Sequence, residues 1–211
     1  MRSFGHCFGV ALFLALAALP VPGLAGLAVD FTATTLDGTD GNGYSLGWEF
    51  HVLAPFRVTQ LGYYDDHKDG LTEAHDVGIW DPSGNLLVSG TVQPGDPLVS
   101  WWRWTSVTPV VLMPDTGYVI AGVSGTVEHY AWGDATNPLQ GFVTDPRIQF
   151  AVDRYLRSAT LVYPTNSIGG ATVGWFGPNF SDAGVPEPAT CALMGGGLLA
   201  LALAFRRRTQ A

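Results

Sequence analysis

Through the middle of the chain, apolar and polar residues alternate with a period of two. Tyr44, Leu46, Trp48, Phe50 and Val52 hold one set of positions and Ser45, Gly47, Glu49 and His51 the other, the pattern of a strand with one buried face. Val29, Phe31 and Ala33 repeat it briefly. Phe56 and Val58 begin another strand, but the apolar parity then moves to Leu61 and Tyr63 across Gln60. A β-bulge there accounts for the shift. Residues 77–80 and 85–91 read as a hairpin around Asp81-Pro82-Ser83-Gly84, with proline second and glycine fourth as a type I turn prefers. Further strands are predicted at 101–107, 110–113, 118–123, 130–132, 148–152, 160–163 and 172–176, with a second turn at Pro114-Asp115-Thr116-Gly117. No window of a dozen residues carries a helical stripe, and 153–158 has room for one helical turn at most. About ten short strands punctuated by Gly and Pro predict an all-β domain, an antiparallel β-sandwich of jelly-roll type.

The two ends break the alternation. Residues 8–19 are continuously apolar behind Met1-Arg2, and Pro20-Val21-Pro22-Gly23 interrupts them. Such a core, followed by Gly26-Leu27-Ala28, has the form of a secretory signal peptide over 1–28, with cleavage after Ala28 and Ala25 as second choice. At the other end, Pro186-Glu187-Pro188 precedes an uncharged stretch, 189–205, and then Arg206-Arg207-Arg208. As a helix that stretch spans roughly 25 Å, the short end of a transmembrane segment. Gly195-Gly196-Gly197 in its middle lowers helix propensity by about 1 kcal/mol per glycine, which suits a temporary stop; a permanent anchor is the alternative. The arginines are expected to stay cytoplasmic, leaving everything before Pro186 outside. Between the ends lies one domain, 29–180, with a short spacer at 181–185.

Cysteine and charge sharpen this picture. Cys7 and Cys191 both fall in the terminal segments, so the domain has to fold without a disulfide. A domain of this length buries roughly two-thirds of its unfolded surface and needs no staple. All 18 acids lie between Asp30 and Glu187, against six basic residues there, so that segment carries −12 where the whole chain carries −8. Nucleic acid and anionic lipid are repelled by such a domain, so no nucleic-acid partner is expected.

Candidate chemistry is sparse. His51, His67, His75 and His129 form no metalloprotease pair, and no cysteine completes a zinc site. Glu49 and Glu128 are the carboxylates a glycosidase would recruit with an aspartate partner. Gly122-Val123-Ser124-Gly125 lacks the spacing of a nucleophile elbow. Two clusters stand out. Asp65, Asp66 and Asp69, ending at Gly70, gather carboxylates as a calcium loop does, though Lys68 sits among them; a solvated acidic loop is the alternative. In Trp101-Trp102-Arg103-Trp104, a strand sends Trp102 and Trp104 inward and Trp101 with Arg103 outward. An outward Trp beside an Arg is a platform for a sugar ring, unless Trp101 packs beneath a loop or neighbouring strand.

The C-terminal order of Pro186-Glu187-Pro188, one hydrophobic segment and Arg206-Arg207-Arg208 closely resembles the PEP-CTERM sorting signal of exported bacterial proteins. That resemblance implies exosortase as the processing partner, transient anchoring in the inner membrane, and a final place at the cell surface or in the extracellular matrix. Gly43-Tyr44-Ser45-Leu46-Gly47-Trp48-Glu49-Phe50, Val77-Gly78-Ile79-Trp80-Asp81 and the 109–118 segment are similar to an uncharacterised family of bacterial secreted β-sandwich domains, over most of 29–180. Such domains often sit ahead of a PEP-CTERM tail or beside carbohydrate-active modules. The expected function is a non-enzymatic surface or biofilm-matrix protein associated with exopolysaccharide. A carbohydrate-binding module is the alternative and a glycoside hydrolase a distant third. No cofactor is expected beyond a possible Ca²⁺.

Overall fold

The computed structural model describes residues 26–32, 36–38, 43–133, 138–169 and 174–182. The signal region before Gly26, Ala33, residues 170–173 and the sorting tail, with Pro186, Glu187, Pro188, the 189–205 segment and Arg206, Arg207 and Arg208, lie outside the described residues.

Within them every named element is a strand: β1 (Val29–Asp30), β2 (Leu36–Gly38), β3 (Tyr44–Val52), β4 (Phe56–Tyr64), β5 (His75–Trp80), β6 (Leu86–Val92), β7 (Leu98–Val99), β8 (Trp102–Leu112), β9 (Asp115–Val123), β10 (Tyr130–Gly133), β11 (Val143–Thr144), β12 (Ile148–Arg157), β13 (Gly174–Trp175) and β14 (Pro178–Ser181). A five-stranded sheet in the order β12-β3-β9-β5-β6 and a four-stranded sheet in the order β14-β4-β8-β7 make the sandwich. A three-stranded sheet, β13-β10-β2, and the pair β1-β11 close its ends.

The inward positions fill the space between the sheets. Trp48 and Phe50 of β3 meet Phe180 of β14, with ring centroids 5.7 and 4.9 Å apart, and Phe56 meets the same ring edge-on at 5.1 Å. Trp102 and Trp104 of β8 and Ile79 and Ile120 of the facing sheet join this core. Burying each such side chain contributes roughly 1.5–3 kcal/mol, which replaces the disulfide the domain lacks.

The turn after β5 forms as its residues dictate. Gly84 N–H donates to the Asp81 carbonyl at 2.9 Å, and Asp81 Oδ1 accepts the Ser83 and Asn85 amides at 2.9 Å each. The register against β8 shifts at the predicted place, between Val58 and Gln60, but the extra residues lie on β8 and not on β4. Val58 pairs with Val110 and Gln60 with Ser106, so β8 fits 107–109 against one residue of β4. Pro109 has no N–H to give a ladder there. The two strands predicted at 101–107 and 110–113 are therefore one strand with a bulge at its proline.

Three other expectations are corrected. Residues 153–158 do not turn into a helix, since β12 continues to Arg157 along the whole length of β3. Residues 160–163 form no strand; the Ser45 hydroxyl donates to the Val162 carbonyl at 2.6 Å and holds that segment over the sheet. The ordered domain also extends past 29–180 at both ends. Ala28 N–H donates to the Phe180 carbonyl at 2.9 Å, Leu27 bridges Ser181, and Gly26 N–H donates to Asp182 Oδ1 at 3.1 Å. Arg147 fastens this junction, pairing with Asp145 and with Asp182 at 2.7 Å each. The Asp145 carboxyl is held below its ordinary pKa chiefly by that hydrogen bond from Arg147. Ser181 and Asp182 thus belong to the fold and not to a spacer, and the chain enters and leaves the sandwich side by side.

Candidate functional site

The Trp101–Arg103 pair faces away from the core as the alternation requires, with Trp102 and Trp104 buried behind it. Other parts of the chain then cover it. Trp101 Nε1–H donates to the Phe31 carbonyl at 2.9 Å, and its ring stacks against Phe31 at 6.0 Å and Tyr64 at 5.9 Å. Lys68 Nζ sits over the same ring, 3.8 Å from its centroid. Arg103 Nε donates to Asp65 Oδ2 at 2.8 Å and Nη1 to the Asp96 carbonyl at 2.9 Å. Both side chains have internal partners, and Trp101 is partly buried and packed against the core, the alternative to an open sugar platform.

The structure places an aromatic cavity elsewhere. On β3 the inward face that buries Trp48, Phe50 and Val52 continues to Leu46 and Tyr44, where the three-stranded end sheet replaces the four-stranded one as its neighbour. Tyr44, Leu46, Tyr130, Tyr155, Ile168 and Trp175 line a cavity of about 280 Å³ there. Tyr155 meets Trp175 edge-on at 5.2 Å and Tyr44 at 6.4 Å. The four rings are half-buried and Leu46 forms the floor. Among the described residues, no charged side chain lines the cavity.

Ile168 reaches the rim because the 166–169 segment is stapled to β12. Asn166 and Tyr155 exchange backbone hydrogen bonds at 2.9 and 3.0 Å. Buried Asp153 accepts the Ile168 amide at 2.8 Å and the Gly169 amide and Ser167 hydroxyl at 3.2 Å each. Asp153 is therefore the positioning residue of this rim. A larger hollow of about 460 Å³ lies where the chain ends meet, bordered by Leu27, Val99 and Val143, but no aromatic ring among the described residues faces it.

The acidic loop joins β4 to β5. Asp65 is sealed from water, and its Oδ2 accepts from Arg103 and, at 3.1 Å, from Gly70 N–H. Lys68 and Gly70 both take positive φ, 61° and 115°, which turns the chain back so that Asp65, Asp66 and Asp69 each bring a carboxylate oxygen within 4.8 Å of the others. Glu128, on the loop before β10, accepts the Thr72 amide and hydroxyl, and Glu73 accepts the Thr126 amide at 2.8 Å. This docking carries His129 to Asp66, with Nδ1 2.6 Å from Oδ2, and His67 Nε2 lies 3.4 Å from the same oxygen. Of the two carboxylates a glycosidase would recruit, Glu49 is ion-paired with Arg154 on the outer face of β3 and Glu128 is the clasp just described.

An all-β domain whose ends emerge together and whose tail is a sorting address defines an exported β-sandwich protein. The chain belongs to the family described as domain of unknown function DUF4082, which matches residues 30–173. A PEP-CTERM protein-sorting motif matches residues 184–208, so the protein is exported, sorted to the surface of a Gram-negative-type cell and processed by exosortase. No curated protein and no solved structure matches the chain.

Proposed function

We propose that the domain is a non-enzymatic cell-surface or matrix protein that holds neutral exopolysaccharide in the cavity between Tyr44, Tyr130, Tyr155 and Trp175. The observation that supports this reading is the cavity itself, with four aromatic rings around an apolar floor and no charge among the described residues of its lining. A sugar ring offers C–H faces to such rings and keeps its hydroxyls at their wet edges. At about 280 Å³ the cavity stands near the small end of ligand pockets and suits one or two sugar units of a longer polymer. The excess of acids over bases in the domain disfavours an anionic polymer. Trp101 and Arg103 take no part in this contact, and the protein is held in the membrane only through the C-terminal segment before processing.

Isothermal titration of the processed protein with neutral matrix oligosaccharides tests this. Saturable binding is expected at a Kd of about 0.1–1 mM, roughly −4 to −5.5 kcal/mol. Trp175→Ala is expected to weaken it at least tenfold, about 1.4 kcal/mol. Equal binding by the variant, no binding at all, or release of reducing sugar would overturn the reading.

A further inference from the structure

We propose that the loop between β4 and β5 is a calcium site built from Asp65, Asp66 and Asp69. Three carboxylate oxygens within 4.8 Å of one another are a donor set for a hard cation, but an acidic cluster alone is no site. Asp65 supplies the second observation. Its Oδ2 is taken by Arg103 and Gly70, while its Oδ1 is buried and has no hydrogen-bond partner. Arg103 balances the carboxylate's charge, but a buried oxygen left without a hydrogen-bond partner still carries a desolvation penalty, and a cation shared with Asp66 and Asp69 removes it.

The surroundings fit this assignment. Lys68 lies in the loop, yet its ammonium is drawn over the Trp101 ring, which offers it a second partner outside the carboxylates. The positive φ values at Lys68 and Gly70 set the turn that brings the carboxylates together. The Glu128–Thr72 and Glu73–Thr126 hydrogen bonds hold the loop against the 124–129 segment. Asp66 also meets His129 and His67, and these three offer two nitrogens and one oxygen to a softer ion. The orphaned oxygen belongs to Asp65, outside that second group, so the oxygen set and Ca²⁺ are favoured.

The test is a calcium titration of the full chain in detergent at constant ionic strength, read by melting temperature and by terbium luminescence sensitised through Trp101. One saturable site is expected, with a Kd on the order of 10⁻⁴–10⁻³ M, as in extracellular calcium modules. At tenfold saturation the melting temperature is expected to rise by about 3–5 °C. Asp69→Asn, at an exposed position, is expected to keep the fold and weaken calcium at least tenfold. Asp65→Asn strands Arg103 and serves only as a supporting variant, while Asp115→Asn on β9 is expected to respond like the parent. Equal shifts in Asp69→Asn and the parent mean general charge screening and overturn the proposal. So does a site that prefers Zn²⁺ and is lost in His129→Ala but retained in Asp69→Asn, and so does the absence of any saturable response.

Discussion

Trp48→Ala is the substitution that bears most directly on how the sandwich is held together. Trp48 has no exposed surface. It stacks on Phe180 with planes 20° apart and touches Phe50, Phe150 and Phe176 at centroid distances of 5.1, 6.3 and 6.1 Å. Truncation leaves a cavity between the two sheets and costs about 3–5 kcal/mol. The indole Nε1–H also donates to the Pro178 carbonyl at 3.1 Å, and a buried acceptor left without its donor adds about 1 kcal/mol. The expected loss of about 4–6 kcal/mol is a large part of the roughly 5–15 kcal/mol that stabilises a domain. Trp48→Phe refills most of the space and is expected to cost about 1–3 kcal/mol, mainly through the lost hydrogen bond and the smaller ring. Urea unfolding followed by far-ultraviolet circular dichroism, with equal m-values for the three proteins, gives the numbers. A loss below about 1.5 kcal/mol for the alanine variant would refute the placement of Trp48 at the centre of the core.

The remaining predictions concern pH and processing. His75 is fully buried against Tyr63, ring on ring at 3.7 Å; burial lowers its pKa, opposed by the Val123 carbonyl and nearby acids. Above the ordinary histidine pKa of about 6.5 both states are neutral; below it the unfolded chain takes up a proton that the folded one refuses. Stability is therefore expected to fall as pH drops from about 7 toward 5, with a slope that His75→Phe flattens; an unchanged slope would remove His75 from the account. Mass spectrometry of the native protein is expected to find its first residue at Gly26, because Gly26, Leu27 and Ala28 pair with Ser181, Asp182 and Phe180, and to find the segment from about residue 186 removed. A start at Val29, or a mature species that keeps Arg206, Arg207 and Arg208, would contradict this.

Much of the sandwich was written in local patterns. The alternation from Tyr44 to Val52 coincides with β3, and the Asp81 turn forms from its own side chain and glycine. Strand β14 is only four residues long, too short for its alternation to stand out, and its polar Asn179 and Ser181 are buried like its apolar positions. The Asn179 amide is satisfied by the Val29 backbone, Nδ2–H donating to the carbonyl at 2.8 Å, a partner 150 residues away in sequence. The covering of Trp101 was illegible for the same reason: parity gives the face of a strand but not that Phe31, Tyr64 and Lys68 arrive on top of it. The aromatic cavity draws its rings from β3, β10, β12 and β13, and no spacing in the chain announces that those elements meet. The acidic loop was visible as composition, whereas the orphaned Asp65 oxygen and the arrival of His129 depend on the fold.

The central claim is that a neutral glycan is held at one end of the sandwich by four aromatic rings, and amide and indole NMR during a titration with neutral matrix oligosaccharide tests it most directly. The account predicts saturable shifts of the Trp175 indole and of Tyr44, Tyr130 and Tyr155, with the Trp101 indole unmoved at its hydrogen bond to Phe31. Shifts centred on Trp101 and Arg103, or a spectrum unchanged at saturating sugar, would contradict it.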